Sequence, residues 1–227
     1  MSSKKEEERI FVSFDYALKR LLRDKANYDV LEGFLSELLS YDVKIKDIVD
    51  VKNAGGKHNE VEILAENEKG ELLVVKLFFP SELDYLYRML YDTSETLVEQ
   101  AEIGRWHCEM RKVISISIDS VDFEEDQDYI YYGNAVFSGI HAHDELQLDG
   151  IQSRKYNKKR PAEIYPEYYV LKVKNFDDIV NDSLDEWIYF FKYNSIKDEF
   201  TAKGLAKARE VLLYDKLTPE EQAEYQQ

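Results

Sequence analysis

The sequence lacks the features that mark several specialised structural classes. Its single cysteine, Cys108, cannot form an intrachain disulfide or supply a zinc site built from cysteines. Four prolines and nine glycines among 227 residues exclude collagen-like and low-complexity chains. The longest apolar runs are far shorter than the ~20 residues that a membrane-spanning helix needs. We therefore expect a globular protein without a membrane partner.

Basic residues are scarce compared with acidic ones. Thirty Lys and Arg stand against 46 Asp and Glu, which gives a formal net charge of −16. This charge opposes non-specific association with nucleic acid, because phosphate contacts supply most of that affinity. The first residues include no apolar stretch beside their charges, so no signal peptide is predicted and we expect a cytoplasmic protein.

One short segment reverses this charge balance. No lysine or arginine occurs between Lys112 and Arg154. Five basic residues then fall within seven positions: Arg154, Lys155, Lys158, Lys159 and Arg160. We call these five residues the basic segment. A polyanion could bind it, and the alternative is a solvated loop that balances its acidic neighbours.

Hydrophobic periodicity predicts both helices and strands. The predicted helices cover 12–22, 27–40, 82–103, 177–194 and 197–214. The predicted strands or extended stretches cover 45–51, 59–66, 71–79, 112–119, 129–139 and 166–174. This order predicts an α/β or α+β fold with a small mixed sheet flanked by helices. The expected organisation is a charged tail over 1–8, a main domain over 9–175 and a C-terminal helical appendage over 176–227.

The predicted hairpin carries glutamates on its first strand and one lysine on its second. Glu60, Glu62 and Glu66 share a strand face, because alternate residues of a strand point to the same side. The second strand is apolar except for Lys76, which is typical of a strand covered on both faces.

The turn of this hairpin fixes which charges face each other. A three-residue loop that ends in Gly70 fits a type I turn with a glycine bulge, and this register places Glu62 opposite Lys76. An unpaired buried charge costs several kcal/mol. Lys76 is therefore expected to pair with Glu62, to open into a polar cleft, or to extend its ammonium to the sheet edge.

Several segments follow the order of one nuclease family. They are Phe14–Leu22, Leu31–Leu39, the hairpin Val61–Glu71, the strand Val113–Ile118 and the terminal Leu217–Tyr225. On these segments the chain resembles the Rpn family of recombination-promoting nucleases, also described as PD-(D/E)XK nuclease family transposases. The resemblance implies a restriction-endonuclease-like core over 9–175, followed by the C-terminal helices.

The resemblance also implies where a metal-dependent DNA endonuclease would carry its site. Active members hold Mg²⁺ or Mn²⁺ with an Asp on the first hairpin strand and a Glu-x-Gln on the second. The matching positions here are Glu62, Lys76 and Phe78, and Asp15 lies in the opening motif. An ammonium at ~4 Å opposes each unit of cation charge by ~4 kcal/mol. We therefore predict a degenerate, catalytically inactive site with a Glu62–Lys76 ion pair and no cofactor.

Two alternatives stay open at this stage. In a rearranged site, Asp15, Glu60 or Glu66 would join Glu62 as ligands of Mg²⁺ or Mn²⁺, and Lys76 would be the catalytic lysine. Alternatively, the chain would be a non-enzymatic partner of a homologous nuclease subunit. A retained DNA-binding function would use Arg88 and the basic segment.

Overall fold

A computed structural model of the chain describes residues 11–12, 16, 25–54, 58–79, 84–102, 110–119, 127–213, 216–220 and 222. The predicted tail over 1–8, most of the predicted first helix and Asp15 lie outside the described residues. Among those described, no helix is both long enough and apolar enough to cross a membrane.

The described residues form helices and strands in the predicted order. The α-helices are α1 (Tyr28–Leu39), α2 (Tyr85–Glu102), α3 (Gly150–Tyr156), α4 (Ser183–Tyr193) and α5 (Leu205–Val211). The strands are β1 (Val43–Ala54), β2 (His58–Asn67), β3 (Leu72–Phe79), β4 (Lys112–Asp119), β5 (Ile130–Gly133) and β6 (Glu167–Lys172). Short 3₁₀ turns cover Lys25–Asn27, Pro161–Glu163 and Val173–Asn175.

The six strands form one mixed sheet in the order β1-β2-β3-β4-β6-β5. β2 and β3 are antiparallel, as are β5 and β6, whereas β4 runs parallel to both β3 and β6. Parallel neighbours need a long connection, and the segment between β3 and β4 contains α2. The predicted α+β class with a small mixed sheet and flanking helices is confirmed.

The β2–β3 turn forms as its residues predict. The Asn67 side-chain oxygen accepts hydrogen bonds from the backbone N–H groups of Lys69 and Glu71, at 3.0 Å each. Gly70 has a φ of 76°, which a residue without a Cβ adopts at no steric cost. The backbone N–H of Asn67 donates to the Glu71 carbonyl at 3.1 Å. Asn67 and Glu71 therefore close the three-residue loop that the sequence predicts.

The described residues fall into two compact units. Those up to Val43 and those from Phe176 onward form one unit, and Lys44–Asn175 form the other. The first unit is helical, with a core of aromatic rings that includes Phe34 and Trp187, whose centroids are 5.6 Å apart. The second unit holds the sheet, α2 and α3. The division into domains over 9–175 and 176–227 stays a prediction.

A close backbone approach in the helical unit depends on a glycine. A Cβ on Gly33 of α1 would lie 2.2 Å from the carbonyl oxygen of Lys203, closer than real Cβ contacts allow. Gly204 follows with a φ of 86° at the start of α5. Any side chain at position 33 would therefore push α1 and this turn apart.

Three predicted elements are markedly shorter in the structure. The strand predicted over 129–139 is confined to β5, and the helix predicted over 197–214 is confined to α5, which begins only after the left-handed Gly204. The helix predicted over 177–194 begins at Ser183, where the Asp182 side chain accepts the backbone N–H of Asp185. The starts of the two helices are set by the Asp182 cap and by the left-handed Gly204, because the helical hydrogen-bond ladder begins only after them.

α3 was not predicted, because the basic segment was expected to be a loop. Asp149 caps this helix by accepting the backbone N–H groups of Ile151 and Gln152 at 2.7 and 2.8 Å. The Gln152 side chain in turn accepts the N–H of Asp149, which completes a capping box. The Asp-x-x-Gln pattern was present in the sequence and could have identified the helix.

Candidate functional site

Lys76 lies in the middle of the sheet with neighbours on both sides. It is in register with Glu62 on β2 and with Ser115 on β4. Its side chain is 1% exposed. The predicted Glu62–Lys76 register is confirmed.

Two glutamates hold the Lys76 ammonium. Nζ lies 2.9 Å from Oε1 of Glu60 and 3.3 Å from Oε2 of Glu62. Both carboxylates are nearly buried, with side-chain exposures of 11% and 13%. The expected ion pair with Glu62 is present. Glu60, expected only as a ligand in a rearranged metal site, is a second partner.

α2 completes the shell around the ammonium. Nζ donates to the backbone carbonyl of Asp92 at 3.1 Å and to the hydroxyl of Thr96 at 3.0 Å. The Thr96 hydroxyl donates onward to Oε2 of Glu62, also at 3.0 Å. A buried charge is tolerated when it is both paired and hydrogen-bonded, and Lys76 satisfies both conditions. We call Lys76, Glu60, Glu62 and Thr96 the lysine cluster.

The buried face of α2 is unusually polar. Its buried residues are Tyr85, Met89, Asp92, Thr93, Thr96 and Gln100. The Thr93 hydroxyl lies 2.7 Å from that of Ser115 on β4. Gln100 accepts the backbone N–H of Arg111 at 2.7 Å. The helix therefore meets the sheet through hydrogen bonds as well as apolar packing.

Phe78 brings an aromatic ring to the position where the resemblance implies a glutamine. The side chain is buried and its ring centroid lies 6.0 Å from Nζ of Lys76. It is in register with Ser117 on β4. Within the described part of the chain, the buried Ser117 hydroxyl has no hydrogen-bond partner. An aromatic ring has no polar atom with which to hold a metal or a water, so this position contributes only packing.

As arranged, the donor set suits an ammonium and does not fit a divalent cation. Mg²⁺ needs oxygen ligands at about 2.0–2.1 Å in octahedral geometry. The space between the carboxylates of Glu60 and Glu62 is taken by Nζ of Lys76. Across the residues that the structure describes, no group of three or more His, Cys, Asp or Glu is arranged to hold a metal ion.

Comparison with protein families identifies the chain. The family model for PD-(D/E)XK nuclease family transposases matches residues 12–227. The chain belongs to this family. No curated protein and no solved structure matches it. The resemblance to PD-(D/E)XK nuclease family transposases is thereby confirmed, and the described sheet and helices agree with a PD-(D/E)XK nuclease-like fold.

The residues predicted to bind DNA lie apart from the lysine cluster. Arg88 is exposed near the start of α2, and Arg154 and Lys155 are exposed in the last turn of α3. Whether any of them binds nucleic acid stays a prediction. Asp15, predicted as a further site residue, lies outside the described residues.

Acidic neighbours partly neutralise the basic segment. Nζ of Lys158 lies 2.5 Å from Oε1 of Glu71, and this hydrogen bond holds the pKa of that carboxyl below its usual value. Arg160 lies 3.8 Å from Glu163 and 4.0 Å from Glu145. Two of the five basic side chains are therefore already engaged within the fold.

A second lysine, at the end of an interior strand, was not predicted as part of any site. Lys112, the first residue of β4, lies 2.9 Å from Oε1 of Glu167 and donates to the Ala162 carbonyl at 2.6 Å. Burial lowers the pKa of Lys112. Burial raises the pKa of Tyr132, and the charge of Glu167 raises it further. No sequence pattern indicated this group, because its members come from four separate segments.

Proposed function

We propose that this family member does not cleave DNA by a metal-dependent mechanism and acts instead by binding protein. The observation that carries the proposal is the enclosure of Lys76 between Glu60 and Glu62. In this position an ammonium supplies the positive charge that a metal ion would otherwise bring to the two carboxylates.

The electrostatics of the lysine cluster support the loss of metal chemistry. A divalent cation near Nζ would be repelled by ~4 kcal/mol for each of its two charges at ~4 Å. To bind, it would have to displace Lys76 from four oxygen neighbours, and the ammonium would then lack partners inside the fold.

The choice of protein over nucleic acid as the bound partner rests on charge and surface composition. The chain has a net charge of −16, and Lys158 and Arg160 of the basic segment already contact acids. The outward face of α2 exposes several large apolar side chains. Exposed apolar surface of this kind marks interaction sites in soluble proteins.

Cleavage of supercoiled plasmid DNA with Mg²⁺ or Mn²⁺ tests the loss of catalysis. The wild type is expected to leave the plasmid intact, whereas Lys76→Glu/Phe78→Gln should nick it. Adding Glu62→Ala to the double variant is the matched control and should abolish the nicking. Cleavage by the wild type that disappears with Glu62→Ala would establish the rearranged metal site instead.

A second readout keeps this test informative if the double variant cuts poorly. The thermal unfolding midpoint of Lys76→Glu/Phe78→Gln should rise when Mn²⁺ is added, because three carboxylates would then surround the site. The midpoint of the wild type should not respond to Mn²⁺. A response of the wild type that Glu62→Ala removes would contradict the proposal.

Nucleic-acid binding is the second candidate function, favoured by the exposure of Arg154 and Lys155 at the end of α3. If it holds, DNA affinity should fall steeply with salt and should weaken in Arg154→Gln/Lys155→Gln. The control is Lys69→Gln/Lys174→Gln, which removes the same charge from two other exposed positions. Equal affinity of the two variants would reject this candidate.

A further inference from the structure

α2 differs from an ordinary amphipathic helix, because most of its buried residues are polar and several of its large apolar residues are exposed. Such a helix buries its apolar stripe against the core and exposes polar residues. Here the face toward the sheet holds Asp92, Thr93, Thr96 and Gln100, because Lys76 and Ser115 require polar partners. The apolar stripe is left on the outside.

The outer stripe is wide, and one small polar residue interrupts it. Five large apolar side chains, between 55% and 81% exposed, form it: Leu86, Tyr87, Leu90, Tyr91 and Val98. Their spacing of three, four and seven residues places them on one side of the helix. Ser94, also exposed, lies between Tyr91 and Val98 on the same side. We call this set the α2 stripe.

We propose that the α2 stripe is the contact surface for a second copy of this chain, paired antiparallel about a two-fold axis near the middle of α2. The inference deepens the proposed protein-binding function and does not depend on the loss of cleavage. A two-fold contact needs a surface that is complementary to itself, and both shape and charge along α2 meet this condition.

Side-chain size along the stripe is self-complementary. Positions 87 and 98 lie equally far from the point between 92 and 93, and so do positions 91 and 94. An antiparallel pair centred at that point sets Tyr87 against the partner's Val98 and Tyr91 against the partner's Ser94. Large rings on the first half of each helix thus face small side chains on the second half of the other.

Charge along the helix is self-complementary as well. Arg88 lies on the same flank of the stripe as Glu95 and Glu99, and equal flanks meet in an antiparallel two-fold pair. In this register Arg88 lies opposite position 97 of the partner helix, which is midway between the partner's Glu95 and Glu99. Each glutamate is then only about 3 Å away along the helix axis. Asp84 and the partner's Glu102 would face each other only at the exposed rim, where water and salt screen their repulsion.

The size of the surface indicates a weak, reversible dimer. At the observed exposures the five side chains present roughly 500 Å² per copy. These side chains would therefore bury at most about 1,000 Å² in a pair, which is the smallest area expected of a specific interface. We expect a dissociation constant in the micromolar range.

Sedimentation velocity of the full chain, from about 2 to 200 µM, tests the dimer. The wild type should shift from monomer to dimer across this range. Tyr87→Glu/Tyr91→Glu should weaken the association by about 30-fold or more, as expected for buried aromatic contacts. Ile140→Glu, at a position 86% exposed, is the control for an added surface charge and should not change it.

A charge exchange tests the antiparallel register. Arg88→Glu alone, and Glu95→Arg/Glu99→Arg alone, should each dimerise about 10-fold more weakly, because like charges then face each other. A mixture of the two variants should associate with nearly wild-type affinity. Circular dichroism confirms that each variant is folded before comparison.

Different results would overturn the dimer and its antiparallel register. A wild type that stays monomeric over the full range, or a dimer that Tyr87→Glu/Tyr91→Glu does not weaken, overturns the proposal. A mixture that shows no recovery overturns the antiparallel register. DNA cleavage by the wild type would overturn the loss of catalysis in the proposed function without changing sedimentation, so the two failures are distinguishable.

Discussion

Two lysines on neighbouring parallel strands meet their glutamates in different surroundings. Lys76, in the middle of β3, is 1% exposed and contacts two carboxylates, a backbone carbonyl and a hydroxyl. Lys112, the first residue of β4, is 12% exposed and contacts one carboxylate and one carbonyl. The two side chains carry the same charge but differ in how far water can reach them.

This difference decides whether water can solvate the lysine charge when its protein partners are lost. Water cannot replace the partners of Lys76, so the fold depends on all of them together. At the exposed end of β4, water can compensate for part of what Lys112 would lose. Position 76 is therefore expected to tolerate fewer other residues than position 112.

The largest expected effect comes from removing the charge at the centre. Lys76→Met should lower the free energy of unfolding by about 3–5 kcal/mol, because it leaves two carboxylates unpaired inside the fold. Urea unfolding measures this loss. Adding Glu60→Gln and Glu62→Gln to Lys76→Met should recover part of it, since no unpaired charge then remains.

Lys69, exposed in the hairpin turn, provides the control for this measurement. Lys69→Met should change stability by less than about 0.5 kcal/mol. A similar loss in Lys76→Met and Lys69→Met would mean that the lysine cluster does not stabilise the fold.

A smaller effect on stability, with a distinct pH dependence, is expected at Lys112. Lys112→Met should cost about 1–2 kcal/mol at neutral pH through the lost hydrogen bonds. Burial lowers the pKa of Lys112 below the 10.5 of a free lysine. Between the lowered pKa and 10.5 the unfolded chain binds more protons than the folded one, so this group makes the wild type more stable as pH rises.

The stability difference between wild type and Lys112→Met should therefore grow as pH rises toward 10.5. Urea unfolding of both proteins from neutral pH to about pH 10 measures this difference, and titrations common to both cancel. A difference that stays constant or shrinks over this range would contradict the lowered pKa.

The smallest expected effect is on the pKa of Glu71, whose carboxylate contacts Lys158 of the basic segment. The pKa of Glu71 lies below 4.5, chiefly because of its hydrogen bond with Lys158. Its stabilising contribution is present above pH 4.5 and is lost as pH falls through the lowered value. Lys158→Met should raise this pKa toward 4.5, which a carboxyl-carbon NMR titration can follow.

Lys69 again serves as the comparison, because it is the weakest of the influences that lower the Glu71 pKa. Lys69→Met should shift that pKa less than Lys158→Met does. Equal shifts would show that general charge, rather than the Lys158 contact, sets the value.

Local sequence was enough to predict the hairpin and half of the lysine cluster. The Glu68-Lys69-Gly70 loop determines the turn, the turn determines the register, and the register sets Glu62 opposite Lys76. Glu60 was placed on the correct face but not paired, because its contact with Lys76 is diagonal and depends on side-chain reach rather than on register.

The contribution of α2 could not be predicted from its own periodicity. The apolar pattern includes Leu86 and Leu90, which an isolated reading of the helix would direct inward, yet both are exposed. The rotation of the helix is instead set by what the sheet presents to it. Partners of Lys76 such as Thr96 therefore become visible only when strands and helix are considered together.

The buried Ser117 hydroxyl has a consequence for which substitutions positions 76 and 78 would tolerate. It is buried, faces position 78 in register and lacks a partner among the described residues, a state that costs about 1–3 kcal/mol. Gln at position 78 would supply that partner. Glu at position 76 would instead add a third carboxylate beside Glu60 and Glu62. Gln at position 78 is therefore compatible with the lysine cluster as it stands, whereas Glu at position 76 would need a cation among the three carboxylates.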